Sequence, residues 1–320
     1  MRNLISLVVI SILALFLAAG TAHAWHDAGH RTTAYIAFDA MSEEQQHAVI
    51  VILKAHPRFA EDFSKRMPAP VSSGTDLEQG RWLLGQAAIW PDLVQTLEDD
   101  VRQQHNRSRW HYINEIVYLS ADDEAAFDGK FDHNMATTFE PPLRQNLNAV
   151  QALRGNLFAW QSDSATDAEK AVALCWILHL TGDLHQPLHN VALFSKAYFP
   201  AGDRGGNSVD VVWEDGTRNL HAVWDGIPTN MDNLEPSART LLTIETDTVD
   251  DAAIDEWLGH HASLARLFVY PDDVKAQLLA RLERSQSPQI EVSREYLIRA
   301  RSVVRRQVNL AGHRMAALLK

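Results

Sequence analysis

The sequence predicts an all-α protein: a single, mostly helical domain that carries one small β-hairpin. Apolar residues recur at helical spacing through most of the 320 residues. Capping residues and prolines bound several of these stretches. Only one segment alternates apolar and polar residues as a half-buried strand does. Because no linker-like segment divides the chain, we interpret it as one domain.

Residues 1–24 are predicted to be a cleaved secretory signal peptide. They read MRNLISLVVISILALFLAAGTAHA, with an early arginine, an apolar run, and small residues at Ala22 and Ala24. This order is typical of a signal peptide with an A-x-A cleavage site. A membrane anchor is the alternative, but the apolar run is short for a span of about 20 residues. We therefore expect a mature chain over 25–320 that is periplasmic or secreted and keeps no membrane anchor.

Composition narrows the classes of function. Cys175 is the only cysteine, so an exported bacterial protein of this sequence would have no internal disulfide and would depend on packing or metal ions. The formal net charge is −12. An acidic protein has no general electrostatic attraction for nucleic acid or anionic lipid. A phosphate-bearing substrate would therefore need a local positive centre, which bound divalent metal ions supply.

Three stretches carry the clearest helical patterns. Ser42 is the predicted N-cap of the first stretch. The second begins at Thr166 or the aspartate after it and would end before Pro187. The closing stretch, 287–320, is apolar on one face and basic on the other, and is predicted to form one or two helices. Loops are expected at about 61–80, 119–142, 196–207 and 228–250.

The strand pattern is NSVDVVW, at 207–213, which is followed by EDGT and RNLH. Alternation followed by Asp215 and Gly216 is typical of two strands joined by a tight turn. We therefore predict one small hairpin in this region.

Two histidine–aspartate pairs repeat one spacing. His179 and Asp183 are four residues apart, and so are His221 and Asp225. On a helix this spacing corresponds to about 40° of rotation and roughly 6 Å of rise, so both side chains of a pair leave the same face. One such pair often forms only a surface hydrogen bond. Two pairs, with His189 just after a proline-terminated helix, indicate a metal site.

Further candidates lie upstream of these pairs. Trp25 and His30 bound the segment WHDAGH, Asp92 lies in AAIWPDLV, and His111 lies in RWHYIN. Taken singly, each is more simply interpreted as structural. A lone histidine among apolar residues is usually a core residue, although a carboxylate in such a run needs a partner.

Taken together, the candidates form an ordered pattern: W-x4-H, W-x-D, W-H-(Y/F)-(I/V)-N, H-x3-D-x5-H, G-G-N and N-L-H-x3-D. This pattern resembles the zinc-dependent single-strand nucleases of the S1/P1 type over Trp25 to Asp225, and the closing LAGHRMAALL helix is similar too. The related bacterial zinc phospholipases C share much of the metal site. The segments GDLHQPLHN and GGN are closer to the nuclease branch.

The resemblance implies three zinc ions. The ligands that it implies are Asp92, His111, His179 and Asp183 for the first ion, His189, His221 and Asp225 for the second, and Trp25, His30 and Asp183 for the third. Trp25 would bind through its amino nitrogen and carbonyl oxygen, and Asp183 would bridge two ions through its two oxygens. Because the amino group of Trp25 is free only after removal of residues 1–24, cleavage would complete the third site.

The resemblance also implies an activity for residues 25–320: hydrolysis of single-stranded RNA or DNA to 5′-nucleotides, and dephosphorylation of 3′-nucleotides. Asp92 would be catalytic, because it would orient the attacking water while it binds the first ion. Tyr112 would stack on a base, and Asn207 would form hydrogen bonds with it. No stable protein partner is implied.

One position departs from the family pattern. Fungal members usually carry Arg or Lys three residues after the aspartate of W-x-D, where this chain has Gln95. An uncharged donor would leave the placement and affinity of the substrate phosphate in question. Arg81 or Arg204 could compensate for the missing charge.

Two alternatives stay open. A phospholipase C-like phosphodiesterase would use the same metals on lipid headgroups, but no amphipathic basic helix lies near the predicted site. A non-catalytic, exported zinc-binding protein would have closed coordination shells, and the retained Asp92 argues against it. His185 and His26 lie outside the ligand positions, and we expect a supporting or surface role for the first and a surface position for the second.

Overall fold

The computed structural model describes residues 25–320 except 128, 130, 132, 214–215 and 231–253. The predicted signal peptide and most of the predicted loop at 228–250 lie outside the described residues. The described chain is mostly helical and has two small sheets, which confirms the predicted fold class. Within the described ranges, none of the helices combines the length and the apolar character needed to span a bilayer.

The α-helices are α1 (Asp27–Ala40), α2 (Glu43–Lys54), α3 (Ala69–Ser72), α4 (Asp76–Leu93), α5 (Asp99–His105), α6 (Ala121–Phe127), α7 (Ala149–Gln161), α8 (Asp167–Leu184), α9 (Leu220–Gly226), α10 (Ile254–Leu264), α11 (Asp272–Glu283) and α12 (Arg294–Leu318). The strands are β1 (Glu115–Tyr118), β2 (Val191–Phe194), β3 (Asp210–Trp213), β4 (Gly216–Asn219) and β5 (Gln289–Glu291). Short 3₁₀ and π segments connect several of these elements.

Both predicted N-caps are confirmed. The Ser42 side chain accepts a hydrogen bond from the Gln45 backbone N–H, and the Thr166 side chain accepts one from that of Glu169. In each case the third residue of the helix bonds back to the cap, so the two ends form capping boxes. Helix α8 ends at Leu184, just before Pro187, as the sequence predicted.

The sequence predicted loops at 61–80 and 119–142. This prediction is wrong in part, because both segments contain helix in the structure. Thr75 and Glu78 form a capping box that begins α4 within the first of these segments. Helix α6 lies within the second. The closing stretch forms one helix, α12, and its first residues instead form strand β5.

The predicted hairpin is confirmed by β3 and β4, which pair antiparallel with Trp213 opposite Gly216. The two turn residues between them lie outside the described part of the chain. Two further pairings were missed by the sequence analysis. Strand β5 pairs parallel with β3, and β1 pairs parallel with β2. These strands are too short to show a period-two pattern.

Helix α8 is the centre of the larger hydrophobic cluster. It packs against α4 and α7, and nearly all of its residues from Ala171 to Leu184 are buried. A helix that is apolar on every side is expected in the core rather than at the surface. A second cluster lies around β2, β3, α9 and α12, and includes Trp25 and Trp224. Helix α8 therefore carries His179 and Asp183 into the interior.

Candidate metal centre

The nine predicted metal ligands are all buried, with at most 4% of each residue exposed. Three helices contribute most of the side chains: α4 carries Asp92, α8 carries His179 and Asp183, and α9 carries the pair at 221 and 225. Of the other four, His30 lies on α1, Trp25 precedes that helix, and His111 and His189 precede β1 and β2. Burial of so many ionisable groups is costly unless they are paired or bind a metal.

In the first group, the ligand atoms of four residues converge. The His179 Nε2 lies 3.0 Å from the His111 Nδ1. The Asp183 Oδ2 lies 3.1 Å from the same His111 nitrogen and 3.4 Å from His179 Nε2. The Asp92 Oδ1 lies 3.9 Å and 3.7 Å from these two nitrogens. The structure therefore brings together the four residues predicted for the first ion.

The tautomer of His179 is fixed by α4. The His179 Nδ1 lies 2.8 Å from the Ala88 carbonyl oxygen, which can only accept a hydrogen bond. The proton is therefore on Nδ1, and Nε2 presents a lone pair to the group. Burial lowers the pKa of His179 to about 4, so the ring is neutral at physiological pH.

The second group contains His189, His221 and Asp225. The Nδ1 atoms of the two histidines lie 2.6 Å from the carbonyl oxygens of His111 and Gly205, respectively. Each Nδ1 therefore carries a proton and each Nε2 a lone pair, yet the two Nε2 atoms are only 3.1 Å apart. Two lone pairs cannot form a hydrogen bond with each other. A cation bound between them would satisfy both.

Protonation of one ring is a poor substitute for a metal ion here. Burial lowers the pKa of His189, so the imidazolium form is disfavoured. The Asp225 Oδ2 lies 3.2 Å from the His221 Nε2. Burial, together with the charges of Asp183 and Asp92, raises the pKa of Asp225 well above its usual range. The carboxylates thus repel one another unless positive charge is bound among them.

The third group contains His30, His179 and Asp183. The His30 Nε2 lies 3.3 Å from the Asp183 Oδ1, and the His30 ring stacks on that of His179 with centroids 4.1 Å apart. Among the described residues, neither His30 ring nitrogen nor the Asp183 Oδ1 has a hydrogen-bond partner of acceptable geometry. A metal ion bound to these atoms would satisfy them. The two oxygens of Asp183 face different groups, as a bridging ligand requires.

Close packing holds the third group in place. A Cβ on Gly182 would lie 2.6 Å from the His30 Nδ1, so only glycine lets this ring approach α8. The Trp25 indole Nε1 donates a hydrogen bond to the Gly182 carbonyl at 3.0 Å. The first described residue is thereby anchored to the same turn of α8 that carries Asp183.

In all, three groups of histidines and aspartates could each hold a metal ion: His30, His179 and Asp183; Asp92, His111 and His179; and His189, His221 and Asp225. The possible ligand atoms of each group lie within 4.8 Å of one another. Nitrogen and carboxylate ligands in groups of three or four suit zinc. The residues present therefore fit the predicted ions, while the roles of individual ligands remain predictions.

The first and second groups border a cavity of 440 Å³. His111, His189 and His221 line its inner wall, and the remaining lining residues include Gln95, Arg109, Tyr112, Arg204 and Asn207. The three predicted substrate-binding residues, Tyr112, Asn207 and Gln95, therefore all line one cavity beside the metal groups.

Two of these residues already have partners in the cavity wall. Arg109 Nη1 donates a hydrogen bond to the Tyr112 hydroxyl at 3.2 Å. The Asn207 Nδ2 donates one to the Arg204 carbonyl at 2.8 Å. These bonds fix the side chains without closing off the Tyr112 ring, which is half-buried.

Gln95 lines the cavity, but its amide nitrogen is directed at the metal groups. Its Nε2 donates a hydrogen bond to the Asp92 Oδ1 at 3.1 Å. Arg81, which we considered as compensation for the missing charge, is used elsewhere. It forms two 2.9 Å hydrogen bonds with Asp39 and stacks on Tyr35, away from the cavity lining. That suggestion is therefore wrong for Arg81.

The groups that orient the ligands were not predicted from the sequence. Gln186 Nε2 donates a hydrogen bond to the Asp225 Oδ1 at 2.7 Å, and the two residues are far apart in sequence. The buried Asp203 accepts hydrogen bonds from the Leu193 N–H at 2.9 Å and the Tyr270 hydroxyl at 2.5 Å. Burial raises the pKa of Asp203 to about 6. No spacing in the sequence indicates these contacts.

The two histidines placed outside the ligand pattern behave differently. His26 is exposed, as predicted. His185 is fully buried, and its Nδ1 donates a hydrogen bond to the Thr181 carbonyl at 2.7 Å while its Nε2 accepts one from Arg314 at 2.8 Å. His185 thus belongs to none of the three groups and supports the end of α8.

A helical fold around a buried histidine–aspartate centre defines a class of metal-binding proteins. Comparison with known families identifies the family within this class. The family model described as S1/P1 Nuclease matches residues 25–320. The chain therefore belongs to the S1/P1 nuclease family.

Three curated relatives show how far the similarity extends. Endonuclease 2 and Endonuclease 3 of Arabidopsis thaliana are each 24% identical to this chain over 68% of its length. The chain covers 61% and 58% of these two relatives, which is about three fifths of their length. Nuclease S1 of Aspergillus oryzae is 39% identical over 69 residues, which are 22% of this chain and 20% of that protein.

Proposed function

We propose that this chain is an exported, zinc-dependent phosphodiesterase that hydrolyses single-stranded RNA or DNA to 5′-nucleotides and also dephosphorylates 3′-nucleotides. The observation that carries the proposal is the pair of Nε2 lone pairs on His189 and His221, 3.1 Å apart beside Asp225. Membership of the S1/P1 family and a cavity lined by the same histidines support it.

Three zinc ions are part of the proposal. Their ligands would be those of the sequence prediction, with Asp183 shared and with Trp25 contributing to the ion next to His30. When bound, the ions supply positive charge to the phosphate oxygens and make a coordinated water more acidic. Since the cavity wall belongs to an acidic chain, this local charge is what would attract a phosphodiester.

The chain's own residues would orient the reactants. Asp92 lies beside His111 and His179, and the hydrogen bond from Gln95 holds its Oδ1 in place. In this position Asp92 would accept a hydrogen bond from the attacking water and direct it at phosphorus. The bond from Gln95 thus gives Asp92 a fixed orientation, and it uses one of the two amide N–H donors of Gln95.

Tyr112 and Asn207 would bind the base. An aromatic face beside the reaction centre can stack on a base only if that base is unpaired. Stacking on Tyr112 therefore gives a physical reason for single-strand preference. The bond to the Arg204 carbonyl uses one N–H of the Asn207 amide. The second N–H and the amide oxygen would form hydrogen bonds with the base edge.

Removal of the signal peptide would be required for full metal loading. An internal peptide nitrogen at Trp25 cannot serve as an amine ligand, whereas a free α-amino group can after it loses a proton. We expect a protein that begins at Trp25 to bind one more zinc ion than a protein that retains 1–24. Equal zinc content in the two forms would remove the amino group from the proposed site.

The main experiment compares substrates. The protein beginning at Trp25 is incubated with single-stranded RNA, single-stranded DNA and a phosphatidylcholine dispersion, each with and without a chelator. We expect chelator-sensitive release of 5′-nucleotides and about three zinc ions per chain. Hydrolysis of the lipid alone would assign the site to phospholipase chemistry, and bound zinc without turnover of any substrate would make it a binding protein.

A pair of variants separates the site from the fold. His221→Ala removes a proposed ligand, and His47→Ala removes an exposed histidine of α2. We expect the first to lose nuclease activity and zinc while the second keeps both. Loss of activity in both variants would indicate damage to the fold rather than to the metal site.

A further inference from the structure

Two arginines line the cavity and belong to none of the metal groups. Arg204 and Arg109 are both exposed. Among the described contacts, the Arg204 side chain has no hydrogen bond or ion pair, and that of Arg109 bonds only the Tyr112 hydroxyl. A guanidinium that faces a cavity without an acidic partner is available to an anion.

The charge of the cavity wall favours an anion. The described lining residues include two arginines and no aspartate or glutamate. The three aspartates of the metal groups are not among its lining residues, and bound metal ions would offset their charge. In a chain with a formal net charge of −12, this wall is a local exception. Since Gln95 is neutral and bonds Asp92, these arginines are the cations left for a phosphate.

The backbone presents Arg204 at a conformational cost. Its φ is +60°, a left-handed conformation that non-glycine residues rarely adopt. Such a conformation is unfavourable and persists only where its surroundings fix it. Here the buried Asp203 is held by the Tyr270 hydroxyl and the Leu193 N–H, and the Arg204 carbonyl accepts from Asn207. The loop therefore holds Arg204 at the cavity.

Arg109 is placed next to the predicted stacking residue. Its guanidinium carbon lies 5.6 Å from the centre of the Tyr112 ring, and its Nη1 bonds the Tyr112 hydroxyl. A nucleotide stacked on Tyr112 would bring its own phosphate close to Arg109. Arginine is suited to this contact because its planar fork can donate two parallel hydrogen bonds to one phosphate.

We propose that Arg204 and Arg109 bind the phosphates that flank the scissile one, so that the site prefers an oligonucleotide to a mononucleotide. This inference rests on the proposed function, because it assigns the substrate length that the same cavity takes. It predicts that the two arginines act on substrate affinity and not on the chemical step. A 3′-mononucleotide has no flanking phosphate and cannot use them.

The test uses Arg204→Asn, because asparagine tolerates a left-handed φ and lacks the guanidinium. Arg109→Gln is the second variant. Substrates are a deoxythymidine decamer and 3′-AMP. We expect each variant to raise the ratio of the decamer KM to the 3′-AMP KM about tenfold, with kcat on the decamer and the zinc content retained. One good charged contact is worth about this factor in affinity.

Salt dependence supplies an independent readout. For single-stranded substrates, the slope of log(kcat/KM) against log[salt] should become shallower by about 0.7 for each lost phosphate contact. Arg204→Lys should keep the wild-type slope. Arg299→Asn is the matched control, because it removes an exposed charge that pairs with Glu295 on α12. That control should keep both the KM ratio and the slope.

The outcomes distinguish this inference from the proposed function. An active wild type whose Arg204→Asn and Arg109→Gln variants keep its KM ratio and salt slope would overturn the inference alone. An equal rise of KM for decamer and 3′-AMP would also overturn it, because the arginines would then not act on flanking phosphates. A wild type that degrades no oligonucleotide would overturn both.

Discussion

Two clusters of buried histidines meet at the C-terminal end of α8, and only one of them has the chemistry of a metal site. The candidate metal centre takes His179 and Asp183 from α8. The other cluster takes His185, which caps the same helix, and His261 from α10, with ring centroids 4.7 Å apart. Both of its histidines are fully buried, like those of the metal centre.

The second cluster already contains a cation of the protein. Arg314 donates a hydrogen bond to the His185 Nε2 at 2.8 Å, and its guanidinium lies 4.5 Å from the centre of the Trp257 ring. Burial, and then the charge of Arg314, lowers the pKa of His185 well below its usual value. The lone pair of His185 is thus occupied by a protein donor, and no metal ion is needed to satisfy it.

The difference lies in carboxylates and in the direction of lone pairs. Three aspartates belong to the metal centre, and two of its Nε2 atoms face each other at 3.1 Å. Within the described part of the chain, no Asp or Glu forms a hydrogen bond with His185, His261 or Arg314. Buried histidines alone therefore do not indicate a metal site, whereas converging lone pairs with acidic neighbours do.

The largest expected effect comes from a substitution in the metal centre, compared with a substitution in the second cluster. His189→Ala should lower hydrolysis of single-stranded RNA more than a hundredfold and remove about one zinc ion per chain, because a ligand is lost. His185→Gln should keep zinc and activity, since the amide oxygen can still accept from Arg314. It should cost about 1–3 kcal/mol of stability. Metal analysis and activity assays check both variants, and equal zinc loss would erase the distinction.

Metal removal should act on stability through one cluster only. Dialysis against a chelator leaves the lone pairs of His189 and His221 facing each other and the aspartates repelling. Removal of a ligand whose free concentration is a thousand times its Kd lowers the free energy of unfolding by about 4 kcal/mol. For a domain of this size, we expect Tm to fall by roughly 10 °C or more. An unchanged melting curve would mean that packing, not metal, holds the centre together.

Loss of an orienting group should weaken metal binding without abolishing it. Gln186→Leu removes the donor to the Asp225 Oδ1, and such supporting bonds are worth about 10–100-fold in metal affinity. Gln277→Leu is the matched control, because that side chain bonds only the backbone of Glu291. Zinc competition with a chelating dye measures both. Equal affinities for wild type and Gln186→Leu would show that Gln186 does not support the site.

The smallest expected effect concerns the contribution of the second cluster to the pH dependence of stability. Burial, with the charges of His185 and Arg314, lowers the pKa of His261 well below its ordinary value near 6.5. The unfolded chain then binds more protons, so this contribution to stability is present above pH 6.5 and is lost as pH falls. The slope is at most about 1.4 kcal/mol per pH unit.

His261→Phe keeps an aromatic ring against His185 and removes the proton site. Urea unfolding of the variant between pH 7 and pH 5 should show a shallower loss of stability than the wild type shows. Because other titrating groups are common to both proteins, they cancel in the comparison. Identical slopes would mean that His261 titrates with a pKa near its ordinary value in the folded protein.

The parts of the site that were predictable are those set by local rules. Capping residues and spacing located α8 and placed His179 and Asp183 on one face of it. The hairpin followed from alternation and a turn dipeptide. The order of motifs along the chain then connected Trp25, His30, Asp92 and the other candidates, which are distant in sequence.

The rest depends on tertiary contacts that have no sequence signal. The tautomers of His179 and His221 are set by the backbone carbonyls of Ala88 and Gly205, which any residue type provides. The pairing of β1 with β2 joins segments that are more than 70 residues apart. The different roles of His185 and His189 follow from Arg314, at the far end of the chain.

The most direct test of the account is anomalous scattering at the zinc edge from crystals of the protein that begins at Trp25. The account predicts peaks between His189 and His221 and at the two groups that share Asp183, with none beside His185 and His261. An absence of zinc between His189 and His221, in a protein that still degrades single-stranded RNA, would contradict it.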